Sequence, residues 1–421
     1  MNDTLNAAVP PIARLAIDGD RLWQSLTHLA RIGATPLGGV KRLALTDLDR
    51  QGRDQVVAWF EAAGLEVRID QIGNIFGRRA GADASRAPVV AGSHIDTQPS
   101  GGRFDGSYGV LAGLEVVRTL NDRGVRTVAP IEIAVWTNEE GTRFTPVMMG
   151  SGAFAGVFTL EHVLARADLD GESVGEALRR IGYAGTAPLG APIGAYFEAH
   201  IEQGPILEAT GTTIGVVTGA LGQRWFDVAV SGTNAHAGPT PMEARRDALL
   251  AAALLVGEVN RIAREQGPDG RGTVGYLQVS PNSRNVIPGE ARFSVDFRHP
   301  SAAGLAAMEG ALRAACAAVA REYRVEVAVD EVVQFPPCRF DADCVGAVRA
   351  AAQALGLSHR DIVSGAGHDA VYVARVAPAA MIFVPCKDGV SHNELEDARP
   401  EHLAAGCDVL LQAMLARAGV A

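Results

Sequence analysis

Two short strand-like runs separated by one helical run constrain this chain more than any other feature. APVVAGS (87–93) and IEIAVWT (131–137) are apolar and β-branched, and between them 107–121 carries apolar residues at three- and four-residue spacing. A connection with its own helix joins parallel strands, and the helix then covers one face of their sheet. The fold class expected is therefore α/β, a mostly parallel sheet flanked by helices. Upstream, 46–63 has helical spacing, and LEVRIDQIGNIFGRR alternates as a half-buried hairpin does.

The pattern changes near Gly215. From GVVTGALGQRWFDVAVSG the order becomes strand, loop, Ala-rich helix (247–266), two strands, a second Ala-rich helix (304–322) and a strand. That β-α-β-β-α-β order is the split, ferredoxin-like arrangement, and an insert of roughly a hundred residues is an ordinary domain size. After QFPPCRF the chain returns to helix and strand alternation, with APAAMIFVP as another buried strand. The expected division is a first part of one α/β domain over 1–214, an inserted domain over 215–334 and a second part over 335–421.

Charge and composition narrow the partners. A formal net charge of −10 gives no support to nucleic acid or an anionic membrane, both of which reward a basic surface. No stretch approaches eighteen apolar residues, so nothing is expected to span a membrane. The opening MNDTLNAAVPPIARLAIDGDRLW places acids where a secretory leader needs an apolar stretch. The five cysteines are scattered through the second half without a C-x-x-C pair, as reduced thiols of a cytoplasmic protein are. The compartment expected is the cytoplasm.

The chemistry gathers in four polar clusters, each at a strand end or in a loop. VVAGSHIDTQPSGGRFDG ends a strand on His94, with Asp96 two residues on and able to reach the same imidazole, and gives Asp105 a glycine-rich loop before a helix. WTNEEGTRF puts Glu139 and Glu140 at the carboxyl edge of the sheet, pointing in different directions. AYFEAHIEQGPILE supplies His200, and CKDGVSHNE supplies His392. Taken singly, each histidine is more often a structural residue. Together His94, Asp105, Glu140, His200 and His392 give three imidazoles and two carboxylates without thiolate, a set suited to Zn²⁺, Mn²⁺, Co²⁺ or Ni²⁺. Five ligands with one Glu to spare point to two metals sharing a bridging carboxylate.

With these residues in place the chain resembles the co-catalytic zinc aminoacylase and carboxypeptidase G superfamily. Within it, the chain resembles the hydantoinase/carbamoylase amidases: N-carbamoyl-L-amino acid hydrolases, bacterial β-ureidopropionases and allantoate amidohydrolases. GSHIDT, GGRFDGSYGV, WTNEEGTRF, HIEQGP, NAHAG, NVIPG, DFRHP, SGAGHDA and SHNE fall in family order over almost the whole chain. The resemblance implies two divalent ions per subunit, one held by His94 and His200, the other by Glu140 and His392, with Asp105 bridging. It implies Glu139 as general base and Asp96 as the clamp on His94. A cis peptide at Asp105–Gly106 is implied too, a costly geometry. In the insert, His236 would reach the active site of a second subunit, which implies a homodimer with the insert as lid and interface. Asn285 and Arg298 would bind substrate, Arg298 as a fork on its carboxylate. Gln203 and Gln223 would make polar contacts, and the Gly365–Gly367 backbone would line the pocket.

The function implied is hydrolysis of the ureido C–N bond of an N-carbamoyl-L-amino acid, with allantoate or N-carbamoyl-β-alanine as alternative small ureido-acid substrates. In the wider superfamily the position of His200 is usually a carboxylate, which disfavours an aminoacylase or dipeptidase. A binding protein without catalysis would be expected to have lost a ligand or the base, and none is missing.

Overall fold

The computed structural model describes residues 15–421; residues 1–14, on which much of the N-terminal reading falls, lie outside the described residues. The chain forms two compact units, one of residues up to Thr218 together with Phe340–Ala421, the other Gly219–Arg339. The strands in chain order are β1 (Glu66–Ile69), β2 (Ile75–Arg79), β3 (Val89–His94), β4 (Ile131–Trp136), β5 (Ala195–Ile201) and β6 (Ile214–Ala220). Then come β7 (Gly222–Ser231), β8 (Ala235–His236), β9 (Arg271–Thr273), β10 (Leu277–Ser280), β11 (Val286–Ile287), β12 (Glu290–His299) and β13 (Glu326–Phe335). The last three are β14 (Cys338–Arg339), β15 (His359–Ser364) and β16 (Ala379–Val384).

A nine-stranded sheet, all of it in the larger unit except β14 and the last two residues of β6, runs β1-β2-β4-β3-β5-β16-β6-β14, with β15 also on β6. Every residue of β3, β4, β5 and β16 is buried, as strands covered on both faces must be. These four are mutually parallel. The flanks depart from the mostly parallel expectation: β2 joins β4, and β6 joins β16, antiparallel. The reason at the first flank is the hairpin of β1 and β2, which needs no crossover helix. The helix Ser107–Asp122 lies against β3 and buries almost its whole length. The helix Pro400–Ala418 packs against it and against β16.

The smaller unit is an antiparallel sheet in the order β10-β12-β7-β13, with the helices Ala248–Glu265 and Ala302–Tyr323 on one face. Alternate residues Phe226, Val228 and Val230 of β7 and Phe293, Val295 and Phe297 of β12 form its core with Leu255, Val259, Leu305 and Leu312. Its limits fall four to five residues beyond the expected 215 and 334. β6 pairs with β16 in the larger sheet, and that pairing retains 215–217. A second correction concerns Ala302–Tyr323, which is long and apolar enough to cross a membrane by length and composition, at mean hydropathy 1.3. Glu309 and Arg313 interrupt its apolar sequence. Leu305, Met308, Leu312, Cys316 and Val319 of this helix are buried in the small unit's core.

Candidate metal centre

Because β4, β3, β5 and β16 are adjacent and parallel, they deliver their C-terminal ends to one edge of the sheet. His94 ends β3, and His200 is the penultimate residue of β5. Glu139 and Glu140 follow β4, and His392 lies in the loop after β16. Asp105 closes the loop between β3 and its helix. The four clusters far apart in sequence thus meet in space.

Asp105 is where they meet. Its Oδ1 stands 3.2 Å from His200 Nε2 and 3.6 Å from His94 Nε2, and its Oδ2 stands 3.4 Å from His392 Nε2. His392 Nε2 is also 3.3 Å from a Glu140 oxygen. Two sets of donor atoms result, His94–Asp105–His200 and Asp105–Glu140–His392, each with its atoms within 4.8 Å of one another. The imidazoles are turned correctly for ligation. His94 Nδ1 faces the Asp96 carbonyl at 2.9 Å and His200 Nδ1 faces the Ile201 carbonyl at 2.9 Å. A carbonyl only accepts, so each Nδ1 carries a proton, and each Nε2, turned to Asp105, is the atom that would meet a metal once it is deprotonated. Nitrogen and oxygen donors so arranged fit a divalent transition ion at each set.

The clamp on His94 is the Asp96 backbone, not its carboxylate, which stays 3.8 Å from Nδ1. β3 ends at His94, so the shared-face geometry of a strand no longer applies at Asp96. The carboxylate instead accepts the N–H groups of Glu139 (3.3 Å) and Glu140 (3.2 Å) and fixes the loop after β4. There Asn138 takes a positive φ of 55° and the two glutamates diverge. Glu140 accepts from Gln98 N (3.1 Å) and Nε2 (2.7 Å), while Glu139 approaches His94 Nε2 at 3.5 Å.

The expected cis peptide after Asp105 does not occur; among the described residues the cis bonds are Thr145–Pro146 and Ser280–Pro281. The chain turns by another device. Gly106, at φ 62° and ψ −50°, centres a tight turn in which Ser107 N–H donates to the Asp105 carbonyl at 2.6 Å. Gly106 N–H itself donates to His200 Nε2 at 3.2 Å.

Gln203, expected at the substrate, holds Asp105: its Nε2 donates to Asp105 Oδ2 at 2.8 Å and to Ser391 Oγ at 3.2 Å. Gly365 and Gly367 form the turn between β15 and the short helix Asp369–Val373. Beside that turn the His368 ring meets His200 edge-on, centroids 4.6 Å apart. Glu198, His200 and His368 form a further buried donor set. Glu198 is already engaged by Ser93 Oγ (2.8 Å), Tyr196 OH (3.2 Å) and Ala370 N–H (2.9 Å), so this set is a wall of the site.

Burial opposes charge on every acid here, with different outcomes. It pushes Glu139 well above the usual carboxylate range, against the pull of His94, and lifts Glu140 to about 7 with the Asp105 charge adding to the effect. At Asp105 burial is outweighed by hydrogen bonds from His200, His392 and His94, and the carboxyl falls well below its ordinary value. His392 rises to about 9, chiefly through its bond to Asp105.

Sequence reasoning missed Gln98 and Glu396. Glu396 reads as one acid of a polar loop, yet it is buried and bonded to the Asp105 loop. Its only signal was its position four residues after His392.

The residues expected in the smaller unit form two pairs there. His236 lies on β8 opposite Val286 of β11, beside Asn285, whose carbonyl accepts from Ala237 N–H at 2.9 Å. His236 Nδ1 accepts from Gly238 N–H at 3.1 Å, which leaves its Nε2 as the donor. Gln223 and Arg298 are cross-strand partners on β7 and β12, and the Arg298 fork is held by Asp296 at 2.9–3.3 Å.

Known proteins share this sequence and arrangement. The chain is 48% identical over 405 residues to an N-carbamoyl-L-amino-acid amidohydrolase of Rhizobium meliloti, covering 96% of this chain and 97% of that one. Allantoate amidohydrolase of Bacillus subtilis is 35% identical over 385 residues, covering 91% and 93%. The crystal structure of an amidase of the hydantoinase/carbamoylase family from Burkholderia multivorans superposes with a TM-score of 0.94 at 60% identity, covering 96% and 98%. Residues 90–416 match peptidase family M20/M25/M40, and the chain belongs to that metal-dependent family and, within it, to the hydantoinase/carbamoylase amidases that its motifs resemble.

Proposed function

We infer that this protein hydrolyses the ureido C–N bond of N-carbamoyl-L-amino acids with two divalent ions. One observation carries the reading: the two Asp105 oxygens face opposite ways, one toward His94 and His200, the other toward His392, with Glu140 beside it. His94, Asp105 and His200 would hold one ion and Asp105, Glu140 and His392 the other, of Zn²⁺, Mn²⁺, Co²⁺ or Ni²⁺ type. Such ions polarise a carbonyl and make water acidic near neutrality.

A ureido carbonyl flanked by two nitrogens is a poor electrophile, so the chain must supply a base and hold charge. Glu139, kept basic by burial and facing the cluster, takes the proton of the attacking water and returns it to the leaving nitrogen. Water adds, the C–N bond breaks, and the products are amino acid, ammonia and carbon dioxide. The smaller unit is read as a ferredoxin-like lid and dimerisation domain, supported by its strand order β10-β12-β7-β13. His236, from a second copy of the chain, would offer its Nε2–H to the developing oxyanion. Arg298 and Asn285 would take the substrate carboxylate, Arg298 exchanging Asp296 for it.

The test is ammonia release by metal-reconstituted protein from three substrates: an N-carbamoyl-L-α-amino acid, N-carbamoyl-β-alanine and allantoate. The first is expected to be fastest, with activity lost to chelator and restored by added ion. A preference for allantoate would assign the second reading, and no release from any of the three would overturn the function.

A further inference from the structure

Asp105 and His392 lie on two loops distant in sequence, and one buried side chain ties the loops together. Glu396 Oε1 accepts the N–H groups of Phe104 (2.8 Å) and Asp105 (3.1 Å), while its Oε2 accepts from Ser391 Oγ (2.9 Å). Ser391 Oγ is also 3.0 Å from Asp105 Oδ2, so hydroxyl and carboxylate close a ring around the bridging residue. The fit is tight, because a Cβ on Gly102 would lie 2.0 Å from the Glu396 carboxylate. A neighbouring ion pair runs the same way, Arg103 to Asp397 at 2.7 Å. Glu396 touches neither ion position itself.

We propose that Glu396 is a positioning residue: through the Phe104 and Asp105 N–H groups and through Ser391 it holds the Asp105 and His392 loops in register, and so determines the affinity of the ion bound by Asp105, Glu140 and His392. The inference rests on the two-ion reading above. It is selective between the ions. The His94–His200 side shares Asp105 but draws its imidazoles from β3 and β5, which the Glu396 contacts do not reach. The Glu140–His392 side has both Asp105 and His392 on the loops that Glu396 ties. Partners that orient metal ligands change affinity by about 10- to 100-fold when removed.

The experiment is Co²⁺ titration of chelator-stripped full-length protein, counting ions and affinities by competition with a chromophoric chelator and following the cobalt absorption bands. Wild type, Glu396→Ala, Glu396→Gln and Ser391→Ala are compared. Wild type is expected to take two ions. Glu396→Ala is expected to keep one at wild-type affinity and to bind the second at least about 10-fold more weakly. Glu396→Gln should stay within about threefold of wild type, because its amide oxygen accepts both N–H groups and its NH₂ donates to Ser391 Oγ. Ser391→Ala removes one hydroxyl from a loop and keeps the test valid if Glu396→Ala does not fold; it should weaken the second ion only. Two ions at wild-type affinity in both Ala variants, or a Gln variant as weak as the Ala variant, would overturn the positioning role while leaving the two-ion reading intact. A wild-type protein that takes up no ion would overturn both.

Discussion

Gly106→Ala places one carbon where the structure has no room for it. The turn at φ 62° and ψ −50° is one that only glycine enters cheaply, and a side chain there costs about 1–3 kcal/mol in backbone strain. The added Cβ would lie 2.4 Å from His94 Nε2 and Cε1 and 2.5 Å from Cδ2. To regain ordinary van der Waals separation the ring must retreat by about 1 Å. Nε2 is the atom aimed at Asp105 (3.6 Å) and Glu139 (3.5 Å), and a misplacement of about 1 Å at a reacting centre costs on the order of 10². The variant is therefore expected to fold with reduced stability, to bind the ion on the His94–His200 side about 100-fold more weakly, and to lose turnover in proportion. Gly211→Ala is the control, since Gly211 has φ 60° but no atom within 4 Å of an added Cβ. It should lose about 1 kcal/mol of stability and leave ion binding unchanged. Urea unfolding of the chelator-stripped proteins measures the first quantity, and Co²⁺ titration the second. A Gly106→Ala protein with wild-type ion affinity and turnover would refute the assignment of His94 Nε2 to the site.

The remaining predictions follow from the same cluster and its supports. Glu139→Gln should keep its full ion content by elemental analysis while turnover falls by about 10² or more; surviving activity removes Glu139 as the base. Ion binding at Asp105, Glu140 and His392 must displace protons from Glu140 (about 7) and His392 (about 9). Affinity should therefore be level above pH 9, fall about tenfold per unit down to pH 7 and more steeply below; an affinity that rises as pH falls would contradict this. Arg53→Ala strands the buried Asp49 carboxylate 2.7 Å away and should cost about 3–5 kcal/mol by urea denaturation. His236→Ala mixed with His94→Ala should regain activity if His236 serves the other subunit's site, and no recovery removes the shared site.

How much of this was legible in the sequence depended on whether a residue's role is set by its own type or by its neighbours in space. The five candidate ligands stood out as a group, since each histidine alone is more often structural, and a parallel sheet brings the ends of its strands, with the loops that follow them, to one edge. Glu396 was not. In SHNELEDARP nothing separates it from Glu394 or Asp397, and only the fold brings Gly102, Phe104 and Asp105 against its buried carboxylate. The Asp96 role failed by one step: the residue spacing was right, but the strand stops at His94 and its carboxylate turns to Glu139 and Glu140. The antiparallel flank at β6 escaped notice because GVVTGA runs straight into the strand of the insert and reads as part of it, whereas it pairs with β16.

The division of labour proposed for Asp105 and Glu139 follows from a single environment. Both carboxyls are buried, and burial disfavours the charge on each. Asp105 meets His94, His200 and His392 and accepts from Gln203 and Ser391, and these together hold it ionised well below the ordinary range. Glu139 meets His94 but also the negative fields of Asp369, Glu140 and Asp105, and it ends well above that range. A buried carboxylate that stays ionised is suited to hold a cation and unsuited to carry a proton. One that is pushed up binds a proton readily. Two carboxyls separated in this way would suit the parts of ligand and base, and exchanging Asp105 for Asn removes the one among these acids whose ordinary value is lowered against burial.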